Sequence, residues 1–210
     1  FGIYSGFYGN PNLQPESSKS WSLGLDHQFF AGKLDVSLDV FKARLKQEIK
    51  TVYAADWTST AINFDGDSNR RGIEFFMDWD VTQYLDLSLA YTYIDSLEKG
   101  SDGSEIDELR RPEHLASFNA SWNVTTSLGL NVNLQYNGTQ TDLYFPPWPS
   151  PMERVVLDDY MLLNFHANYS LAPKFDLYLK IENLLDEDYE DVFGYRTLGL
   201  GARVGGRYVF

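Results

Sequence analysis

The chain has 210 residues, no cysteine and a formal net charge of −13. The lack of cysteine excludes a disulfide scaffold and a thiolate metal site, and the acidic balance argues against nucleic acid as a partner. Mean hydropathy is −0.34, and no run reaches the ~18 apolar residues that a spanning helix needs. A transmembrane β-barrel has a similar average, since only every second residue of its strands faces lipid.

Apolar and polar residues alternate along much of the chain, which predicts strands with one apolar and one polar face. The alternation is clear at 34–40, 73–81 and 85–93, and again at 128–137 and 175–181. The periods of three and four that a helix needs are absent from these segments.

This pattern predicts nine antiparallel strands. They cover 17–31, 33–53, 61–81, 85–97, 112–125, 128–144, 154–171, 175–186 and 198–210. Residues 1–16 are interpreted as the remnant of an extracellular loop, and 17–210 as part of a barrel domain. Aromatic residues near the strand ends suit the headgroup level of a membrane.

Connection lengths separate a membrane barrel from the alternative, a soluble β-sandwich. Tight turns near 31–33, 82–84, 126–127 and 172–174 alternate with long polar connections near 54–60, 98–111, 145–153 and 187–197. Short periplasmic turns and long outer loops are typical of a transmembrane barrel. The strands at 33–53 and 61–81 would also be about twenty residues long, against a usual five or six.

An odd number of strands cannot close a bacterial single-chain barrel, which is even-stranded. Open sheet edges in lipid are costly because their amides stay unpaired. We therefore expect nine or ten long strands that belong to a larger barrel. The start at Phe1 has no signal-peptide pattern, so the sequence is expected to be mature, trimmed or a fragment.

Five segments, in order, resemble TonB-dependent outer-membrane receptors. They are GNPNLQPE at 9–16, NRRGIE at 69–74, RPEH at 111–114, KIENLLDEDY at 180–189 and the terminal Tyr208-Val209-Phe210. The resemblance implies the C-terminal part of a barrel of about twenty-two strands with a plugged lumen. It also implies that Tyr208 and Phe210 form a barrel-assembly signal.

The resemblance further implies a transporter in the bacterial outer membrane rather than an enzyme. Its partners would be the lipid bilayer, the remaining strands, a plug domain, TonB, the barrel-assembly machinery and a small-molecule ligand. The plug and the TonB box are not in this sequence. Residues 189–197 are similar to a segment of cobalamin receptors, and iron–siderophore complexes are the other expected ligand class.

The loop at 144–154 is the most unusual stretch, with four prolines beside exposed aromatic residues. Rigid aromatic side chains bind large, partly apolar ligands at low entropic cost, although this loop can instead pack on its neighbours. The residues predicted to bind ligand are Tyr144, Phe145, Trp148, Arg154, Tyr195 and Arg196.

The polar strand faces are predicted to line the lumen or contact a plug. The residues assigned to this surface are Asp35, Asp39, Asp78, Asp86, Asn131, Asn133, Gln135, Asn164, His166 and Asn168. None is needed for chemistry, and no nucleophile or histidine cluster has catalytic or metal-binding spacing.

The acidic stretch 98–108 is interpreted as a solvated loop. The alternative is a calcium site on Asp102, Glu105 and Asp107, because hard oxygen ligands suit that ion. No other cofactor is expected. Three further functions stay open at this point: a non-specific porin-like channel, an outer-membrane enzyme, and a fragment that assembles with copies of itself.

Overall fold

The computed structural model describes residues 6–54, 58–100, 103–147 and 149–210. All regular secondary structure in these ranges is β-strand. The strands are β1 (Phe7–Tyr8), β2 (Ser17–Phe29), β3 (Leu34–Lys46), β4 (Ile49–Tyr53), β5 (Ser59–Asn63), β6 (Asp67–Thr82), β7 (Leu85–Lys99), β8 (Glu105–Asp107), β9 (His114–Asn123), β10 (Leu128–Asn137), β11 (Gln140–Tyr144), β12 (Glu153–Leu157), β13 (Tyr160–Ala172), β14 (Phe175–Glu182) and β15 (Gly201–Tyr208). The described ranges contain no helix long and apolar enough to span a bilayer.

Nine strands form the path of the main sheet, in the order β2-β3-β6-β7-β9-β10-β13-β14-β15, with β8 attached to β7. Neighbours in this order are principal strands that follow one another along the chain, and the pairings from β7 through β15 are antiparallel. This up-and-down order confirms the all-β prediction and the nine principal strands. Among the described strands β2 and β15 do not pair with each other, so the sheet is open.

Short turns join the strands at one end because local hydrogen bonds close them. Phe30, Ala31 and Gly32 have φ between 53° and 83°, and the N–H of Gly32 donates to the carbonyl of Phe29 at 3.1 Å. In the next turn Thr82 accepts from the N–H of Tyr84 at 3.1 Å. Such side-chain acceptors favour tight turns, and the predicted short turns are confirmed.

The two predicted twenty-residue strands are wrong, because both are interrupted. In 33–53, β3 ends at Lys46 and β4 begins at Ile49, with Gln47 at a φ of 59° that ends the extended backbone. In 61–81, the strands β5 and β6 are separate. The strands β4 and β5 pair with each other, and β1 adds to β5 in parallel, in a second sheet.

Predicted strands 128–144 and 154–171 are also divided. The first becomes β10 and β11, and the second becomes β12 and β13. The strands β11 and β12 pair with each other in a two-stranded sheet rather than continuing the main one. β14 ends at Glu182, four residues before the predicted end, because Asn183 adopts a φ of 52°.

The chain has two compact units. The first comprises the described residues within 1–22, 41–71 and 95–108, and the second those within 23–40, 72–94 and 109–210. Polar contacts order the first unit: the Asn10 amide donates to the carbonyl of Ala61 at 2.9 Å, and Arg70 donates to both oxygens of Glu108 at 2.9 and 2.7 Å.

The main sheet buries almost no apolar side chain. Among the described residues, Leu157 is the buried hydrophobic one, at 5% exposure. Large apolar residues are instead exposed, as at Leu23, Leu25 and Val204. A sheet in water would cover such a face, whereas a sheet in a bilayer presents it to lipid.

Candidate functional site

The residues predicted to line the lumen share one face of the main sheet. Asn131 is the cross-strand partner of Ser121 and His166, and Asn133 is the partner of Asn164. Residues directly opposite each other in antiparallel strands point to the same side. Asp86, Gln135 and Asn168 fall on this face by the same registers.

Amide side chains connect the polar face across strands. Asn131 donates to Asn119 at 3.0 Å and to Ser121 at 2.9 Å, and Asn164 donates to Asn133 at 3.3 Å. These contacts form a hydrogen-bonded layer of amide and hydroxyl side chains. Its exposure to a lumen or a plug stays a prediction.

Asp35, Asp39 and Asp78 are the other residues predicted to face the lumen, and the first two lie near a second polar surface. A cavity of about 650 Å³ is lined by Asp26, Asp35, Ser37 and Phe76, among others, and Ser37 donates to Asp26 at 2.6 Å. One oxygen of Asp35 is buried without a described partner. The Asp39 carboxylate lies over Gly24, where it would collide with an added Cβ. Asp78 is exposed and outside the cavity.

A buried carboxylate fixes the loop that follows β14. Asp142 in β11 is fully buried, accepts from Arg110 at 2.8 Å and accepts from the N–H of Phe193 at 2.8 Å. Burial raises the pKa of Asp142, but the backbone N–H groups of Phe193 and Leu143 and the Arg110 guanidinium outweigh it and hold that pKa below its ordinary value. Asp142 therefore stays ionised and links two segments. We call Asp142, Arg110 and the Phe193 N–H the loop latch.

Further contacts hold the same loop. Gln140 donates to the carbonyl of Asp191 at 3.1 Å, and the hydroxyl of Tyr160 donates to the Asp191 side chain at 2.5 Å. The Tyr144 and Phe193 rings lie 5.0 Å apart between centroids. Residues 187–197 are thus tied to β11 and to the start of β13.

This fixed loop forms one wall of a cavity of about 380 Å³. We call it the loop cavity. Its lining residues are Val156, Leu157, Asp158, Asp159, Asp188, Tyr189, Glu190, Phe193 and Arg196. The aromatic rings and Leu157 supply apolar surface, and the single arginine faces an excess of carboxylates. Such a site suits a ligand with both apolar and polar groups.

The structure brings only some of the predicted ligand residues to this cavity. Arg196 lines it, and Tyr144 contacts its wall through Phe193. Phe145 and Tyr195 are 70% and 73% exposed and do not line it. Arg154 lies in β12 opposite Leu143, and Trp148 is outside the described residues. Ligand contact by these residues stays a prediction.

The sequence alone does not identify most of the residues that line the loop cavity. The acidic run from Asp186 to Asp191 and the pair Asp158-Asp159 were visible as charges, but acidic runs are usually solvated loops. Nothing in the sequence placed these two runs beside each other, since about thirty residues separate them.

The described residues hold no group of three or more histidine or acidic side chains placed to bind a metal ion. Glu105 pairs with Lys99 at 3.3 Å, and Asp107 lies in β8 opposite Leu97. Asp102 is outside the described residues, so the calcium hypothesis stays an untested prediction. At the C-terminus, the exposed rings of Tyr208 and Phe210 lie 5.2 Å apart edge to face, and their role in assembly also stays a prediction.

A family model described as TonB dependent receptor-like, beta-barrel, matches residues 1–184. The chain belongs to this family. Its members are transport receptors of the outer membrane, which agrees with the apolar outer face and the sorted loops. The resemblance predicted from the five sequence segments is therefore confirmed.

Several solved receptors have a similar fold. The pyoverdine outer-membrane receptor FpvA of Pseudomonas aeruginosa matches with a TM-score of 0.78 and 16% identity over 98% of this chain and 32% of that one. The ferric-catecholate import receptor Fiu of E. coli matches with a TM-score of 0.76 and 17% identity over 96% and 29%. The siderophore receptor PiuA of Acinetobacter baumannii gives 0.68 and 21% over 95% and 30%. The chain spans about a third of their length.

Proposed function

We propose that this chain is the C-terminal part of a bacterial outer-membrane receptor that imports a scarce nutrient with energy supplied through TonB. The family match over residues 1–184 carries this proposal. The outer membrane has no nucleotide energy source, so uptake against a gradient requires a partner that spans the periplasm. The sheet supplies the wall of the transport path, with apolar side chains toward lipid and amides on the opposite face.

Iron–siderophore complexes are the proposed ligand class. The similar structures include receptors for pyoverdine and ferric catecholate, and the loop cavity combines aromatic walls with charged groups. Cobalamin is the second candidate, on the resemblance of residues 189–197. The loop latch would keep the cavity wall in place before ligand arrives, which reduces the entropic cost of binding.

The open sheet needs further strands to span a membrane. Among the described strands, β2 and β15 each have one neighbour in the main sheet, so each presents an edge whose amides need a further partner, and an unpaired amide in hydrocarbon costs several kcal/mol. We infer that these two edges pair with further strands of the same polypeptide. A plug domain inside the closed barrel would then contact the amide layer around Asn131 and Asn133.

Uptake by the complete receptor tests the proposal. The receptor is produced in a bacterial strain without its own siderophore and cobalamin receptors, and the cells receive iron-55 bound to pyoverdine, iron-55 bound to a tris-catecholate, or cobalt-57 cyanocobalamin. We expect uptake of one class that stops when TonB is deleted. Equal passage of all three probes without TonB would identify a porin-like channel and refute the proposal.

Arg196 provides the residue-level test. Among the residues that line the loop cavity Arg196 is the one cation, so Arg196→Gln is expected to weaken contact with a negatively charged group of the ligand about tenfold or more, as for a charged hydrogen bond. Lys174→Gln, at a short turn, is the matched control and should leave capture unchanged. Equal binding by both variants would show that the loop cavity does not contact ligand.

A further inference from the structure

The loop cavity carries more negative than positive charge. Four carboxylates line it: Asp158 and Asp159 lie between β12 and β13, and Asp188 and Glu190 lie in the loop after β14. Arg196 is the one cation among the lining residues. Carboxylates grouped around one cavity repel each other, so this arrangement needs a reason beyond the fold.

Two of these carboxylates have no role in ordering the chain. Glu190 accepts from the N–H of Gly194 at 3.0 Å and so helps to shape its own loop. Within the described ranges, by contrast, the carboxylates of Asp158 and Asp188 make no hydrogen bond or ion pair with other residues. Both side chains are exposed, and their charges are therefore available to a ligand.

The carboxylates of the loop cavity are not arranged around a single metal ion. The part of the chain that the structure describes contains no group of three or more acidic or histidine side chains that could hold one. The charges are instead shared between the β12–β13 connection and the loop after β14. A charge distribution of this kind is better matched by an organic cation, which carries its charge on an extended frame.

Two aromatic rings in the wall of the cavity favour the same class of ligand. Tyr189 and Phe193 line the cavity, and each packs against a second ring. The centroids of Tyr189 and Tyr160 lie 4.2 Å apart, and those of Phe193 and Tyr144 lie 5.0 Å apart. Rings that are already packed lose little freedom when a ligand binds. Aromatic faces attract ammonium and guanidinium groups, so the rings support the same choice as the carboxylates.

We propose that the loop cavity binds a positively charged organic group, an alkylammonium or a guanidinium, on a ferric complex whose overall charge is neutral or positive. An iron(III) ion held by three hydroxamates is neutral, whereas three fully deprotonated catecholates make the complex strongly anionic. The excess of carboxylates in the cavity repels the anionic complex. Arg196 can contact a carboxylate elsewhere on the same ligand. This inference rests on the proposed function, because it assigns the charge of the complex that the receptor captures.

Ligand binding by the complete receptor in detergent tests the inference, measured by equilibrium dialysis with iron-55. The probes are iron(III) desferrioxamine B, a trihydroxamate complex with one free ammonium group, its N-acetylated form, which lacks that charge, and an iron(III) tris-catecholate. Asp158→Asn/Asp188→Asn is the test variant. Glu153→Gln/Glu187→Gln is the matched control, since it removes the same charge from β12 and from the loop after β14 at residues that do not line the cavity.

We expect the unchanged receptor to bind the ammonium complex about tenfold more tightly than the acetylated one, as for two solvent-exposed charge contacts. It should bind the tris-catecholate most weakly. The test variant should lose the difference between the ammonium and acetylated complexes, and the control should keep it.

Equal binding of the ammonium and acetylated complexes by the unchanged receptor would overturn the inference. An equal loss in test and control, tightest binding of the tris-catecholate, or binding of none of the three probes would overturn it as well. TonB-dependent uptake is measured separately. Import of the tris-catecholate after tight binding would support the transport proposal against this inference, whereas tight binding of the ammonium complex without import would do the reverse.

Discussion

Replacing Asp142 with alanine is expected to release the loop after β14 without unfolding the sheet. The substitution removes a fully buried carboxylate and leaves the Phe193 N–H without its acceptor. It also leaves Arg110 unpaired, but half of that side chain is exposed, with a relative area of 54%. Water can therefore solvate the guanidinium, so its ion pair contributes little.

The size of the local destabilisation follows from the unsatisfied Phe193 N–H and the lost ion pair with Arg110. An unsatisfied donor near the buried carboxylate costs about 1–3 kcal/mol, and the partly exposed ion pair adds between 0 and about 1 kcal/mol. A local destabilisation of about 2 kcal/mol corresponds to a roughly 30-fold fall in amide protection. The amides of 191–197 should show this fall, whereas those of β10 and β14 should not.

Hydrogen exchange of the complete receptor in detergent measures this effect residue by residue. Asp176→Ala is the matched control, since Asp176 accepts a hydrogen bond from Ser170 at 2.7 Å at the short-turn end. The control should leave the exchange of 191–197 unchanged. Unchanged protection of Phe193 in Asp142→Ala would refute the role of the latch, and loss of protection throughout β10 and β14 would show a global effect instead.

Three further outcomes are expected. The pKa of Asp142 lies below its ordinary value of 3.8, so the latch should be fully stabilising above about pH 4 and weaken only as the pH falls further. Amide protection of 191–197 should therefore be constant from pH 7 to 4.5 and drop below pH 4. A loss of protection already at pH 6 would contradict this assignment. Gly138→Ala should lower the free energy of unfolding of the receptor by about 1–3 kcal/mol, since a Cβ there would lie 3.0 Å from the His114 carbonyl oxygen. Gly201→Ala, with open space around it, is the control, and urea unfolding in detergent compares the two variants. Tyr160→Phe should increase exchange near Asp191 by removing the 2.5 Å hydrogen bond, while Tyr178→Phe should not.

The main sheet could be predicted from sequence because its signal is local. Alternation at 85–93 and 128–137 depends only on which side of a strand meets lipid, and the register of β10 with β9 and β13 preserves both faces. The interruptions could not be predicted in the same way. Gln47 adopts its positive φ in a segment that still alternates, so periodicity alone extends the strand across it.

The candidate site was less predictable because its contacts join distant residues. Asp142 and Phe193 are 51 positions apart, and so are Gln140 and Asp191. The sequence predicted Tyr144 and Arg196 as ligand-binding loop residues, but it gave no reason to select Asp142, which resembles any polar residue of a loop hairpin. A carboxylate becomes recognisable as a latch only when its burial and its donors are known.

Buried polar groups have a larger share in ordering this chain than in a soluble domain. Among the described residues, the buried polar set comprises Ser59, Ser68, Ser96, Gln140, Asp142 and Asn183, against Leu157 as the buried hydrophobic residue. In water the apolar side chains would supply most of the stability by burial, but here they lie on the outer face of the sheet. Among the described loop residues little apolar surface is buried beyond Leu157 and the Tyr144–Phe193 contact, so hydrogen bonds such as those of Asn183 to the carbonyls of Glu187 and Leu198 contribute much of the loop order. Each such contact contributes about 1 kcal/mol or slightly more, and therefore single substitutions in this polar set should alter loop order while the strands stay paired.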